Sequence, residues 1–288
     1  MGWISENIEE KVMKLVVNLF LPCFIVTSLL QSEDLKNPAL VSIAFGSGVA
    51  IAVLGMAIAY FVGWVIRYQK GSGLRSFSLT CGIHNYGFIA IPMMISVYGE
   101  LSDQLLGISF IHGIGVELAM WTLGVSLLKG NLTIHWKQLL NGPSLAILLS
   151  FALVYSGLDQ WLPEALLSSA GMLAKCTFPM ALLLIGAAMY QLFKNIQWEQ
   201  KTIWSSAITR NLIIPLIYLG LGMLTPEGSN LRYVFVIQIA MPAAMMPILI
   251  AKHYGGHANT AIQTVSVSSI AAIVSIPVWI LMGQHFLL

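Results

Sequence analysis

The chain has 288 residues and a formal net charge of +2, yet it is 57% hydrophobic and only 9% charged, against roughly a quarter charged in soluble domains. That balance excludes a soluble globular protein and leaves too little polar sequence for an extramembrane domain. Its basic residues are scattered over loops, which excludes a nucleic-acid interface, and Cys23, Cys81 and Cys176 are isolated in apolar stretches, with the spacing of neither a disulfide framework nor a metal site.

Residues 1–14 place Glu6, Glu9, Glu10, Lys11 and Lys14 ahead of the first apolar run, which is not the basic-then-apolar order of a cleaved signal. Apolar runs then predict about nine transmembrane helices, at roughly 11–31, 38–66, 74–98, 104–128, 143–158, 163–190, 202–223, 231–253 and 258–284. Their connections are short and rich in turn formers, such as Lys70-Gly71-Ser72-Gly73, Asn141-Gly142-Pro143 and Thr225-Pro226-Glu227-Gly228. Alternating the loops puts Lys11, Lys14, Arg67, Lys70, Arg75, Lys129, Lys137, Lys194, Lys201 and Lys252 on one face and only Lys36 and Arg232 on the other. The basic face is cytoplasmic by the positive-inside rule, so the amino terminus is expected inside and the carboxyl terminus outside, in a multi-pass plasma-membrane protein. The sequon Asn131-Leu132-Thr133 falls on the cytoplasmic side, where it would stay unmodified.

Two of the predicted spans are interrupted. One contains Cys81-Gly82-Ile83-His84-Asn85-Tyr86-Gly87-Phe88-Ile89-Ala90-Ile91-Pro92, the other Gln238-Ile239-Ala240-Met241-Pro242-Ala243-Ala244-Met245-Met246-Pro247. Paired interruptions at corresponding depths are the best sequence pointer to a transporter's binding site. They belong to a longer correspondence, since Pro22 and Pro179 lie 157 residues apart, as do Leu74-Arg75 and Leu231-Arg232, while Asn85 falls on Pro242 at the same offset. Matched landmarks argue for an internal repeat. Five spans separate each helix from its counterpart, so the copies face opposite ways. The expected organisation is a first repeat at 1–128 with four helices, a cytoplasmic linker at 129–142, and a second repeat at 143–288 with five. The first helix of a five-plus-five arrangement is absent ahead of Met1, through loss or a late start of the chain.

The runs Asn18-Leu19-Phe20-Leu21-Pro22-Cys23-Phe24 with Ser28-Leu29-Leu30, Asn85-Tyr86-Gly87-Phe88-Ile89-Ala90-Ile91-Pro92, Pro179-Met180-Ala181-Leu182-Leu183-Leu184-Ile185-Gly186-Ala187, and Ala240-Met241-Pro242-Ala243 with Ala251-Lys252-His253-Tyr254-Gly255-Gly256 resemble the auxin efflux carrier family over almost the whole chain. The resemblance implies a crossover fold of ten helices shared with the bile-acid/sodium symporters. In it a mobile transport unit works against a scaffold whose first helix makes a homodimer contact.

Non-helical backbone inside hydrocarbon is tolerated only where protein or a water-filled cavity surrounds it, so both breaks belong in the interior. Gly87 is expected to allow unusual backbone angles, and Pro92 and Pro242 remove donors. If the two spans cross, as the resemblance implies, the positive ends of their second halves converge on a volume suited to a carboxylate. Asn85, Tyr86, Gly87, Pro92, Gln238, Met241 and Pro242 are therefore the candidate substrate-binding residues. Asn85 reads as ligand and helix cap at once; His84 reads as an imidazole bonded to a carbonyl or as a proton carrier, and Gln238 as a complement to Asn85 or a fastener of its helix. Three full charges remain inside spans. Glu117, with His112 about a turn earlier, is a candidate for a coupling proton or for a structural hydrogen bond to a broken-helix backbone. Lys175, four residues before Pro179, either supplies charge to an anionic substrate or snorkels to water. Arg210 reads as an anchor.

Met93, Met94, Met241, Met245 and Met246 flank the breaks, as a repacking pocket or as ordinary filler. No catalytic signature is present, and neither cofactor nor metal is expected. The reading is a secondary transporter, a permease or efflux carrier, moving a small organic anion such as an auxin-like carboxylate across the bilayer by alternating access. Its alternatives are a sodium-coupled symporter of the bile-acid type, a membrane subunit or remnant without transport activity, and a pigment-binding protein using Lys175 for a Schiff base, which finds no supporting aromatic pattern.

Overall fold

The structure, a computed structural model, describes residues 6–68, 72–131, 140–194 and 196–288, and every regular element among them is helical. Lys70, Leu132, Thr133, Lys137 and most of the expected linker at 129–142 lie outside the described residues.

The first span is α1 (Glu6–Leu15) and α2 (Leu21–Gln31), joined by a π turn at Val16–Phe20. Pro22 has no N–H to offer the Asn18 carbonyl, and the helix widens instead, with Leu21 N–H reaching back five residues to Val16 O. Asn37 opens α3 (Pro38–Val65), its side chain accepting from Ala39 N and Leu40 N at 3.2 and 3.3 Å. At 28 residues α3 is about 42 Å long, ample for a hydrocarbon layer of about 30 Å.

Next come α4 (Ser72–Gly82) and α5 (Ala90–Tyr98), of 11 and 9 residues, each too short to cross alone at 1.5 Å per residue. A positive φ of 56° at Gly99 reverses the chain into α6 (Ser102–Ala119), a π turn at Met120–Gly124 and α7 (Val125–Lys129). α8 (Gly142–Ser156) starts at Asn141, which accepts from Ser144 N at 2.9 Å. α9 (Glu164–Lys175) and α10 (Thr177–Lys194) meet at Cys176, so the span expected at 163–190 is jointed.

α11 (Gln200–Ile208), a π turn at Thr209–Ile213 and α12 (Ile214–Gly222) follow. Pro215 has no N–H to give the Asn211 carbonyl four residues earlier, and the Trp279 indole N–H donates to that carbonyl at 2.7 Å. Finally α13 (Asn230–Ala240), α14 (Met246–His253) and α15 (Ala258–Leu287) complete the chain.

Five helical stretches among the described residues have the length and composition to cross a membrane: Lys11–Gln31, Pro38–Val65, Ala90–Lys129, Glu164–Leu184 and Ala258–Leu287. Large apolar side chains face outward while a set of polar ones is buried with the apolar core. Phe61, Trp64, Leu183, Ile273 and Val274 are exposed, while Ser78, His84, Asn85, His112, Arg210, Gln238 and Gln263 are buried. This is an all-helical polytopic membrane protein.

Two groups of helices stand out. α2 packs with α8 and α9, and α1 lies against α10. In the other group α3 packs on α4 and α6, while α4, α11 and α13 pack on α15. Lipid supplies no hydrophobic drive between helices, so close approach depends on small residues. A Cβ on Gly48 would stand 2.0 Å from His112 O, one on Gly115 2.2 Å from Phe45 O, and one on Gly55 2.4 Å from Gly82 O. These contacts hold α3 against α6 and against the end of α4, where the site begins.

Candidate functional site

Both interruptions exist, and they meet. The chain leaves helical geometry at 83–89 between α4 and α5 and at 241–245 between α13 and α14. Asn85 N donates to Pro242 O at 2.8 Å and Ala244 N to Ile83 O at 2.9 Å, which sets His84 opposite Ala243 in a single antiparallel bridge. Backbone groups stripped of helical partners in an apolar interior must find others, and here each break satisfies part of the other. Ser268 of α15 accepts from Ala243 N at 3.2 Å, and Gln238 donates to Tyr86 O at 3.3 Å.

Asn85 is 4% exposed. Its Oδ1 accepts from Ile89 N at 3.1 Å, closing the turn at 86–89 that leads into α5. That bond fixes which way the amide points and leaves Nδ2, a donor with no hydrogen bond among the described residues. Tyr86 turns back on itself, its N–H donating to His84 O at 2.9 Å. Pro242 works through its carbonyl, as the acceptor for Asn85. Pro92 lies in the first turn of α5, between Ile91 N and Met93 N, which donate to Gly87 O and Ile89 O at 3.1 Å; lacking an N–H, it leaves the i−4 carbonyl of Phe88 without that donor.

Gly87 departs from expectation, since it is absent from the positive-φ residues and a Cβ on it would meet nothing within 4 Å. The glycine leaves open space beside the break and is not needed for its backbone angles. Phe88, next along, packs against Val16, Ala181 and Leu184, so the first break touches the helix group of α1 and α10.

His84 is completely buried; neither ring nitrogen makes a well-formed hydrogen bond among the described residues, and the Gln238 side chain faces the ring. The expected carbonyl bond is not made; the ring instead packs among Tyr86, His112 and Tyr218, with centroids at 6.1, 5.8 and 6.4 Å. Gln238 is buried with Oε1 unpartnered, its amide nitrogen also reaching Ser109 Oγ at 3.3 Å. Met241 is buried and presents its carbonyl to Arg210.

Glu117 is half-buried on α6 and does not join His112, whose Nδ1 lies 3.0 Å from Ser47 Oγ. Asn141 Nδ2 and Ser144 Oγ donate to the Glu117 carboxyl at 3.2 and 3.1 Å, and the Tyr86 hydroxyl faces it too. The carboxyl thus lies at the amino end of α8, where a helix dipole favours negative charge, rather than on a broken-helix backbone. Tyr86 links it to the first break. Lys175 is not brought to the crossing: it is the last residue of α9 and stays exposed where the chain turns at Cys176.

Arg210 takes a larger place than that of an anchor. It is 0% exposed on the π turn at Thr209–Ile213, and Nε and Nη2 donate to Met241 O at 3.0 and 2.8 Å. Nη1 reaches Cys81 O at 3.4 Å and Gly82 O at 3.5 Å. One guanidinium therefore ties the carboxyl ends of both first half-helices. The available signal was a full charge five residues before Pro215 in an otherwise apolar span.

Compared with known proteins, the chain matches the profile of a family described as membrane transport protein, over residues 2–134 and 127–280. The chain belongs to this family. It is the auxin efflux carrier family that the sequence resembles, and the two matched stretches take in both breaks. An uncharacterized transporter of Methanocaldococcus jannaschii is 22% identical over 227 residues, which cover 77% of this chain and 72% of that protein. For a membrane transport protein, a buried crossing of two interrupted helices is where substrate recognition is to be sought.

Proposed function

We propose that this protein is a secondary transporter of a small organic anion, whose carboxylate is held beside Asn85 at the crossing of the two interrupted helices. The observation that carries this reading is the hydrogen bond from Ile89 N–H to Asn85 Oδ1, which orients the amide and leaves Nδ2 as an unused donor among the described residues. A donor beside the positive ends of α5 and α14 selects an acceptor with negative charge, and the open space at Gly87 is where its apolar remainder fits. No full positive charge is needed at the carboxylate itself.

In this reading about nine spans form two oppositely oriented repeats, 1–128 and 143–288, joined by a cytoplasmic linker at 129–142, with the amino terminus inside. The 157-residue offset and the basic loop bias support that arrangement. Alternating access follows if the helices around the crossing move against the group of α2, α8 and α9, and Glu117, bonded to α8 yet facing Tyr86, carries a coupling proton at that boundary.

The test is a thermal-shift screen of aromatic, dicarboxylic and amino acids at two pH values, followed by flux in liposomes. A carboxylate that stabilises the protein should lose affinity roughly ten- to a hundredfold in Asn85→Ala, the worth of a hydrogen bond to a charged group at about 1.5–3 kcal/mol. Unchanged binding by a folded Asn85→Ala protein removes Asn85 from the site, and absence of flux for every stabilising acid refutes transport.

A further inference from the structure

In transporters with interrupted helices, unwound carbonyls and the carboxyl ends of half-helices are the groups that hold a coupling sodium ion. Here those groups gather at one point. Met241 O comes from the second break, and Cys81 O and Gly82 O from the end of α4, all within 3.5 Å of the Arg210 guanidinium. The carboxyl ends of α4 and α13 carry partial negative charge, and the cation compensates both.

No Asp or Glu of the described residues pairs with Arg210; the groups that face it are Tyr218, Cys81 and His84. The Tyr218 ring lies 5.9 Å from the guanidinium carbon, and its hydroxyl is fixed to Ile51 O at 2.6 Å. A charge buried without a carboxylate is costly unless dipoles satisfy it, and here the helix ends do so. The position is structurally determined by the widened turn at 209–213, which aims residue 210 at both breaks.

We propose that Arg210 is a built-in cation: its guanidinium permanently fills the carbonyl cluster that a bound sodium ion would otherwise occupy, so the crossing holds together, and the transporter works, without sodium. The claim about transport rests on the proposed function. The claim about the crossing does not, and it is tested without substrate.

The experiment compares melting of the purified wild type, Arg210→Lys and Arg210→Ala in sodium, potassium and choline chloride at equal ionic strength. The wild type should melt at the same temperature in all three. Arg210→Ala should melt lower in choline and recover in sodium, by on the order of 3 °C when the ion is in tenfold excess over its Kd. Arg210→Lys keeps the charge with fewer donors, so it should lie between the two and ignore sodium.

A wild type stabilised selectively by sodium overturns the inference. So does an Arg210→Ala protein equally destabilised in every salt, which reduces Arg210 to packing. If Arg210→Ala does not accumulate, the wild type and Arg210→Lys decide, since a sodium response from either contradicts a filled cluster. Sodium-free uptake by the wild type in liposomes checks the transport half, and failure of every carboxylate to bind refutes the proposed function while leaving the melting result standing.

Discussion

Gly55→Ala tests the packing that holds the crossing in place. The added Cβ would lie 2.3 Å from Tyr218 Oη, 2.4 Å from Gly82 O and 3.2 Å from Gly82 C. Neither neighbour can easily yield. The Tyr218 hydroxyl is held to Ile51 O at 2.6 Å, and Gly82 is backbone at the end of α4, directly before the bridged residues. Overpacking costs about 1–3 kcal/mol, a displaced Tyr218 hydrogen bond adds about 1 kcal/mol, and the better helix propensity of alanine returns up to about 1 kcal/mol. The net expectation is a loss of about 1–3 kcal/mol. Gly46→Ala is the matched control on the same helix, because a Cβ there meets nothing within 4 Å and only the propensity gain remains. At about 2–4 °C per kcal/mol for a chain of this size, the two variants should melt roughly 5–15 °C apart in one detergent, followed by tryptophan fluorescence. A Gly55→Ala protein that melts with Gly46→Ala, or above it, refutes the close approach of α3 to the break.

Trp279→Phe should cost about 1–3 kcal/mol in the same assay, because the Asn211 carbonyl loses the indole donor, and Pro215 cannot replace it; an unchanged melting temperature would show that the carbonyl is satisfied otherwise. Glu117→Gln keeps the shape but offers one acceptor where the carboxyl serves both Asn141 and Ser144, so it should destabilise by about 1 kcal/mol and flatten the pH profile of uptake, and an unaltered profile dismisses Glu117 as proton carrier. Gly87→Ala enters open space and should leave stability within about 0.5 kcal/mol while weakening carboxylate binding; a large drop in melting temperature with full binding would place the substrate elsewhere.

Much of the architecture is written in local signals. Asn37 and Asn141 mark helix starts through caps, and the Gly- and Pro-bearing segments coincide with the two breaks. The pairing across the breaks is a different matter. That Asn85 N meets Pro242 O and Ala244 N meets Ile83 O depends on two spans folding together, and no residue type announces it. Helix faces were also hard to read, since lipid and protein interior are both apolar and hydrophobic periodicity fades. Arg210 was visible as a buried charge, but its aim depends on the π turn at 209–213, and Lys175 and Arg210 look alike in one dimension although only the latter reaches the crossing. The partners of Glu117 are hidden for a related reason: Asn141 and Ser144 lie more than 20 residues away, across residues outside the described structure.

The most direct measurement is a disulfide across the bridge, built as His84→Cys with Ala243→Cys in a background where Cys23, Cys81 and Cys176 are replaced by alanine. Opposed residues in an antiparallel bridge without direct hydrogen bonds stand about 4.5 Å apart at Cα, within the range a disulfide spans. With a protease site inserted at 132–139, oxidation should keep the two halves joined on a non-reducing gel and reduction should part them. Halves that separate despite oxidation, in a protein that remains folded and monodisperse, would contradict the meeting of the two breaks and with it the proposed site.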